Sequence, residues 1–170
     1  HELESERRNL GGSEKKISKW IESRLIGAAR SVIVVGPKIA DWYREQYGIN
    51  NVYVVRNIPK MPNLVTEKTP FLREKFNIPS GALIFIYQGF LVSERGLEII
   101  LEAFREAGPD RHVIFMGSGL LEDLIADHAS RYGNIHFQPA VHPSEIIKYT
   151  AGCDVGISLF ENTCLSHYYV

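Results

Sequence analysis

The chain has 170 residues, of which 45% are hydrophobic and 23% are charged, and its formal net charge is −1 at pH 7. This composition is typical of a globular protein and excludes a disordered polar tail. Proteins that follow a phosphate backbone usually carry a strong basic excess, so we expect no nucleic-acid partner.

The two cysteines, Cys153 and Cys164, have no CxxC spacing, and the six histidines show no spacing typical of metal ligands. This pattern disfavours a disulfide framework or a zinc site and favours a reducing, cytosolic setting. No apolar run approaches the roughly 18 residues of a membrane span. We therefore expect a soluble, cytoplasmic chain without a metal.

The first third of the chain predicts a helix followed by two strands with a shorter helix between them. Apolar residues recur at helical spacing behind a cap at Ser13, and they are Ile17, Trp20, Ile21 and Leu25. Residues 31–35 and 51–55 are apolar runs of strand length, and residues 39–47 predict a helix that ends at Gly48. These elements predict part of an α/β domain over residues 1–57.

A change of composition then predicts a linker over residues 58–70, where periodicity is lost and turn-forming residues accumulate. These residues are Pro59, Pro62, Asn63 and Pro70. Residues 71–170 are expected to form a second α/β domain.

In this second domain, strands and helices alternate. The predicted strands are residues 82–87, 112–116, 135–137 and 155–160. The predicted buried face of the first helix is Leu97, Ile100, Ala103, Phe104 and Ala107, and that of the second is Leu121, Leu124, Ile125, His128 and Ala129. Gly133 is expected to close the second helix and Pro143 to open a third. The alternation predicts a Rossmann-like fold, a parallel sheet with helices on both faces.

Both ends of the chain are expected to be cut. The sequence begins without a strand before its first helix, and it stops in a loop at Tyr169 and Val170, after a strand that should lead into another helix.

In parallel sheets, ligands bind at the loops that follow the carboxyl ends of strands. Residues 87–96 form one such loop, where Gly89 allows close approach to the backbone and Arg95 adds a forked cation near a helix N-terminus. This combination suits a diphosphate. The alternative is a capped turn with a solvated arginine.

Three further loops are candidates. Gly117 and Gly119 form a GxG turn, which tight turns also use for backbone reasons alone. The backbone of residues 138–143 could line a flat slot for a base. Glu161 could hold sugar or ribose hydroxyls, and the alternative is an exposed loop glutamate.

The order of these motifs resembles the family-four retaining glycosyltransferases of the GT-B fold, also called glycosyl transferases group one. Residues 20–57, which end in Val-Val-Arg-Asn, are similar to the end of the N-terminal domain in that family. From Gly89 onward the resemblance follows a strand, a glycine, a basic-Gly pair, a Gly-x-Gly, a Pro-Ala-Val loop, a Cys-Asp-Val strand start and a loop glutamate.

The resemblance implies a nucleotide-diphosphate sugar donor, held mainly by the second domain, and a glycan or lipid-linked acceptor, held by the first, with a place in polysaccharide biosynthesis. It implies transfer with retention and without a metal or cofactor. Arg95 matches the basic residue that neutralises the leaving diphosphate. Gly89 and Gly119 match positions of close approach, and Val141 matches the base-contacting loop. His1, with Glu2, resembles a His-Glu pair of the cleft, or is a cloning remnant.

The chain departs from the family pattern at two places. Phe90 stands where many relatives have a second phosphate-binding arginine, and no second glutamate follows Glu161 at the family's spacing. Because the helix that would carry the second glutamate and the first half of the N-terminal domain are expected to be missing, we expect the chain alone to be inactive as a transferase.

Three other interpretations stay open. The first is a non-hydrolysing nucleotide-sugar epimerase, which would turn over a donor without an acceptor. The second is a non-catalytic α/β module, in which Arg95→Ala changes no ligand property. The third concerns peripheral contact of the first helix with the inner face of a membrane, through Lys15, Lys16, Lys19, Trp20 and Arg24. The alternative to that contact is a solvated face with Trp20 in the core.

Overall fold

The computed structural model of the protein describes residues 11–58 and 68–161. These residues belong to two compact units, residues 11–58 and residues 68–161, which we call the first unit and the second unit. His1 and most of the predicted linker, residues 59–67, lie outside the described residues. The predicted domain limits therefore stay a prediction.

The first unit is a two-stranded parallel sheet with helices. Its elements are α1 (Gly12–Leu25), a 3₁₀ turn (Ile26–Ala28), β1 (Val32–Val34), α2 (Pro37–Tyr47) and β2 (Val52–Val54). Helix α2 ends at Gly48 in the left-handed conformation, at φ 64°, as predicted. Helix α1 begins at Gly12, because the Gly11 amide donates to the Glu14 carboxylate at 2.8 Å, so the predicted cap at Ser13 is wrong.

The apolar face of α1 is exposed in the first unit. The core of this unit consists of Val34, Ile39, Ala40 and Val52, all from β1, α2 and β2. Trp20 is 61% exposed and no residue of α1 is buried, so the interpretation that places Trp20 in the core is wrong.

The second unit is a four-stranded parallel sheet with helices on both faces. Its elements are α3 (Phe71–Lys75), β3 (Leu83–Phe90), a 3₁₀ turn (Ser93–Arg95), α4 (Leu97–Glu106), β4 (Arg111–Ser118), α5 (Glu122–Arg131), β5 (Ile135–Pro139), α6 (Ile146–Thr150) and β6 (Val155–Ile157). The strand order is β5-β4-β3-β6. The predicted fold class is confirmed.

Alternate residues of the central strands are buried on opposite faces of this sheet, as the pleat requires. Ile86 and Met116 join a cluster with residues of α3 and α6, whereas Tyr87 and Phe115 join a cluster with residues of α4 and α5. Because each of these side chains is at most 6% exposed, both faces are covered. Continuous apolar runs are typical of such doubly covered strands.

Several element limits differ from the predictions. Strands β3 and β4 continue to Phe90 and Ser118, because their terminal glycines still pair in the ladder. Strand β6 ends at Ile157 rather than at residue 160. Helix α6 begins at Ile146, since Pro143 lies in the preceding turn. The five-residue helix α3 was not predicted, because so short a segment shows no periodicity.

The predicted helix faces are correct in part. Helix α4 buries Leu101 in place of Ala103, which is exposed. Helix α5 buries Ile125 alone and ends at Arg131, before Gly133. The predicted face of α5 was therefore too wide.

Two histidines stack near the amino ends of β4 and β5, at the edge of the sheet opposite to the strand ends where ligands are expected. His112 Nδ1 lies 3.0 Å from His136 Nε2, and their rings are 3° from parallel. His112 is 6% exposed, and Phe76 stacks on the other ring with 4.8 Å between centroids. Burial lowers the pKa of both histidines, to about 4 for His136.

Candidate functional site

Two adjoining cavities open at the carboxyl edge of the sheet in the second unit. The larger cavity, of about 460 Å³, lies at the end of β3 and along the whole of β6, together with residues just before and after that strand. The smaller cavity, of about 220 Å³, lies at the ends of β3, β4 and β5. Gln88, Gly89 and Phe90 line both, so the end of β3 forms the wall between them.

The linings of the two cavities differ in chemistry. Apolar side chains of Met116, Ala140, Val141 and Ile146 line the smaller cavity. Arg95 lines the larger cavity and is the only positively charged residue among the described residues around either cavity. The smaller cavity is therefore suited to a flat apolar group. The end of the larger cavity at Arg95 is suited to an anion, whereas the Asp154 carboxylate also lines that cavity.

The floor between β3 and β4 is backbone without side chains, because the strands approach closely. Gly89 and Gly117 lie opposite each other, and a Cβ atom on Gly117 would stand 1.8 Å from the Gly89 carbonyl oxygen. A Cβ atom on Gly119 would stand 2.4 Å from the Leu91 carbonyl oxygen. Packing alone therefore requires glycine at both positions of the GxG turn.

The Gly119 amide has a partner within the protein. It donates to Glu122 Oε1 at 2.8 Å, and Gly119 lies outside the lining of both cavities. Its predicted part in donor binding stays a prediction.

Hydrogen bonds fix the backbone at the end of β3. The Tyr87 hydroxyl donates to the Phe90 carbonyl oxygen at 2.8 Å, and the Leu91 amide donates to the Ser118 carbonyl oxygen at 2.9 Å. Leu91 is fully buried, whereas the neighbouring Phe90 side chain is 70% exposed. Burial raises the pKa of Tyr87, so its hydroxyl stays protonated as a donor at neutral pH. The Phe90 backbone is thus fixed at the rim that both cavities share, with its ring exposed there.

Arg95 ends the 3₁₀ turn that precedes α4. Its guanidinium carbon lies 4.1 Å from the centroid of the Phe160 ring. The loop after β6 lies against this turn, because the Glu161 amide donates to the Glu94 carbonyl oxygen at 3.0 Å. Glu161 is therefore next to Arg95 in the structure but outside the lining of both cavities.

Asp154 joins β6 to the rest of the sheet at the other end of the larger cavity. Its Oδ2 accepts from the Ile84 amide at 2.8 Å, and its own amide donates to the Ile84 carbonyl oxygen at 2.8 Å. A hydrogen bond from Lys68, followed by the one from Ile84, lowers the pKa of the Asp154 carboxyl group. This carboxylate therefore has a structural role, because it connects β6 to β3.

Cys153 has a free thiol, and burial raises its pKa to about 11, so it stays protonated at neutral pH and is unsuited to act as a nucleophile. Cys164 lies outside the described residues. Within residues 11–58 and 68–161, no group of three or more acidic, histidine or cysteine side chains is placed to hold a metal ion.

Four of the residues predicted from the sequence line the cavities, namely Gly89, Arg95, Gly117 and Val141. Gly119 and Glu161 flank them, and His1 lies outside the described residues. Tyr87 and Phe160 lie in the predicted loops, but sequence reasoning assigned no part in the site to either side chain. An aromatic residue that ends an aliphatic strand run, as Tyr87 does, could have indicated a side chain at the carboxyl edge.

No protein-family model and no curated protein matches the chain. Solved structures do match it. TarM of Staphylococcus aureus has a TM-score of 0.62 at 15% identity, over 88% of this chain and 29% of that one. HepE of Anabaena, in complex with UDP, has a TM-score of 0.60 at 17% identity, over 87% and 42%. A glycosyltransferase from Rickettsia africae has a TM-score of 0.60 at 20% identity, over 90% and 43%.

At these identities the likeness shows the fold. The chain shares the GT-B glycosyltransferase fold over the part that it spans, which is 29 to 43% of the length of these three structures. Among the described residues, no helix is long and apolar enough to cross a membrane.

Proposed function

We propose that the second unit is the donor-binding part of a glycosyltransferase that uses a nucleotide-diphosphate sugar. The observation that carries this proposal is the pair of adjoining cavities, one apolar and one containing Arg95, at the carboxyl edge of a parallel sheet. The structures of TarM and HepE, which share this fold, contain UDP. The likeness supports the same ligand class here.

In this proposal, the base occupies the smaller cavity between Val141 and Met116. The diphosphate crosses the bare floor at Gly89 and accepts hydrogen bonds from Arg95 in the larger cavity. A guanidinium matches two phosphate oxygens with parallel donors, and such charge-assisted bonds are about twice as strong as neutral ones. Glu161 binds hydroxyls of the sugar or ribose.

We further propose that no metal or cofactor takes part. Arg95 and the N-terminus of the ten-residue helix α4 would neutralise charge on the leaving diphosphate. Nucleotide affinity is then the same in excess EDTA as in excess Mg²⁺. A strong requirement for Mg²⁺ would contradict this part of the proposal.

The remaining parts of the proposal concern the parent enzyme. The first unit belongs to the domain that holds a glycan or lipid-linked acceptor, transfer proceeds with retention, and the reaction takes place in the cytoplasm or at the inner face of the membrane. The 170-residue chain alone binds the donor without transferring its sugar. A transfer assay with labelled donor would contradict that last statement if it showed a glycosylated product.

The test is calorimetric titration of the chain with UDP, GDP, ADP and their sugar conjugates. We expect one nucleotide to bind and Arg95→Ala to weaken its binding by about 1–3 kcal/mol, the scale of a lost charge-assisted contact. Arg105→Ala is the matched control, because Arg105 pairs with Glu102 at 2.7 Å on the surface of α4 and lines neither cavity. Equal affinities for wild type and Arg95→Ala, or no binding of any nucleotide, would favour the non-catalytic module.

A further inference from the structure

The Arg95 guanidinium is held by an aromatic ring. A separation of 4.1 Å between its central carbon and the Phe160 centroid is well inside the range of a favourable cation–π contact. The ring offers no carboxylate or carbonyl oxygen, so this contact takes up none of the five guanidinium N–H donors in an ion pair or a conventional hydrogen bond. The contact therefore restrains Arg95 and leaves its donors for an anion.

A backbone hydrogen bond on one side of Phe160 and a side-chain contact on the other attach the loop that carries its ring. The Glu161 amide donates to the Glu94 carbonyl oxygen at 3.0 Å. On the other side, Leu159 packs on Gly96, where a Cβ atom would lie 3.5 Å from the leucine Cβ. The loop after β6 is thus attached to the turn that carries Arg95.

An aromatic partner has a different electrostatic effect from a carboxylate. Arg44, Arg105 and Arg131 each pair with a carboxylate of their own helix at 2.7–2.8 Å. Among the described residues, no carboxylate forms an ion pair with Arg95. A carboxylate would compete with a bound phosphate for the guanidinium, whereas a ring orients the cation without cancelling its charge.

We propose that Phe160 is a positioning residue, which holds the Arg95 guanidinium ready for the diphosphate of a nucleotide ligand. This inference rests on the proposed function. The loop after β6 would then contribute to the site in two ways. Phe160 would support anion binding through Arg95, and Glu161 would bind hydroxyls of the sugar or ribose.

The experiment is a double-mutant cycle on the 170-residue chain, with UDP, GDP and ADP as probes. Phe160→Leu should weaken binding about three- to fivefold, the scale of an exposed cation–π contact, and Phe160→Tyr should restore wild-type affinity. Because Phe160 acts through Arg95, adding Phe160→Leu to Arg95→Ala should weaken binding no further. A residue that only stabilises the fold would add its effect in both backgrounds.

A second measurement needs no nucleotide. In the free chain, ring current from Phe160 should shift the Arg95 side-chain NMR signals upfield, and the shift should vanish in Phe160→Leu and persist in Phe160→Tyr. Ordinary Arg95 shifts in the wild type would overturn the inference.

The outcomes separate the two proposals. If Arg95→Ala weakens nucleotide binding while Phe160→Leu leaves it unchanged, the positioning part of Phe160 is overturned and the proposed function stands. If Arg95→Ala itself has no effect, or no nucleotide binds to the wild type, both are overturned.

Discussion

Replacing Gly117 by alanine tests the close approach of β3 and β4 at the floor of the cavities. The new methyl carbon would stand 1.8 Å from the Gly89 carbonyl oxygen and 3.0 Å from its carbonyl carbon. Both are backbone atoms of a central strand, so no side chain can rotate away to relieve the overlap. The strands would have to separate at their carboxyl ends, where they now pair in register.

The cost follows from this geometry. Adding a methyl group to a well-packed interior costs about 1–3 kcal/mol, and the upper end applies because backbone must move. We therefore expect Gly117→Ala to lower the free energy of unfolding by about 3 kcal/mol. Urea unfolding followed by far-UV circular dichroism would measure it, since the only two tryptophans, Trp20 and Trp42, lie in the first unit.

Gly133→Ala is the matched control, because a Cβ atom there meets no atom within 4 Å. It should change the free energy of unfolding by less than about 1 kcal/mol. If the two variants unfolded at the same urea concentration, the close approach of β3 and β4 would be refuted.

Two further predictions concern pH and charge. Burial lowers the pKa of His136 from its usual 6.5 to about 4, so the unfolded chain binds more protons in this window. The free energy of unfolding should therefore fall as the pH drops through it, and urea unfolding of the wild type and of His136→Asn would show a flatter dependence in the variant. Phe90→Arg adds a cation at the shared rim and should tighten nucleoside diphosphate binding about tenfold in low salt. Calorimetry at two salt concentrations measures this gain, with Phe90→Leu as the control.

For both the pH prediction and the charge prediction, one result would contradict the reasoning. An identical pH dependence in His136→Asn would show that this histidine is not buried in its neutral form. A gain in affinity that is equal for Phe90→Leu and Phe90→Arg would show that removal of the ring matters, and not the added charge.

The sequence predicts the central strands of the second unit well. Residues 82–87 and 112–116 are continuous apolar runs, as expected when helices cover both faces of a sheet. The predicted strands end too early, because a glycine such as Gly89 or Gly117, seen in its own sequence segment, suggests a turn. They pair in the ladder because each strand presents its glycine opposite the other, which neither sequence segment shows alone.

The residues of the candidate site could be predicted only where the neighbouring sequence marks them. Gly89 and Arg95 were found because they follow a strand and precede a helix. The contact between Arg95 and Phe160 joins two separate loops, so no local spacing reveals it. The sequence left open whether Trp20 is exposed or in the core for a related reason, since periodicity identifies an apolar face of a helix but not what covers that face.

The bare floor between β3 and β4 also determines where ligand preference can be engineered. In the proposed donor site, the peptide groups at Gly89 and Gly117 would offer the same contacts to any nucleotide. A side chain at Gly117 would have to separate the strands, and one at Gly89 would be strained at its φ of 148°. Substitutions that redirect this site to another base or sugar should therefore be sought in its walls, at Val141 in the smaller cavity and at Phe90 on the shared rim. A library that varies these two positions leaves the sheet intact and samples the surfaces that distinguish one ligand from another.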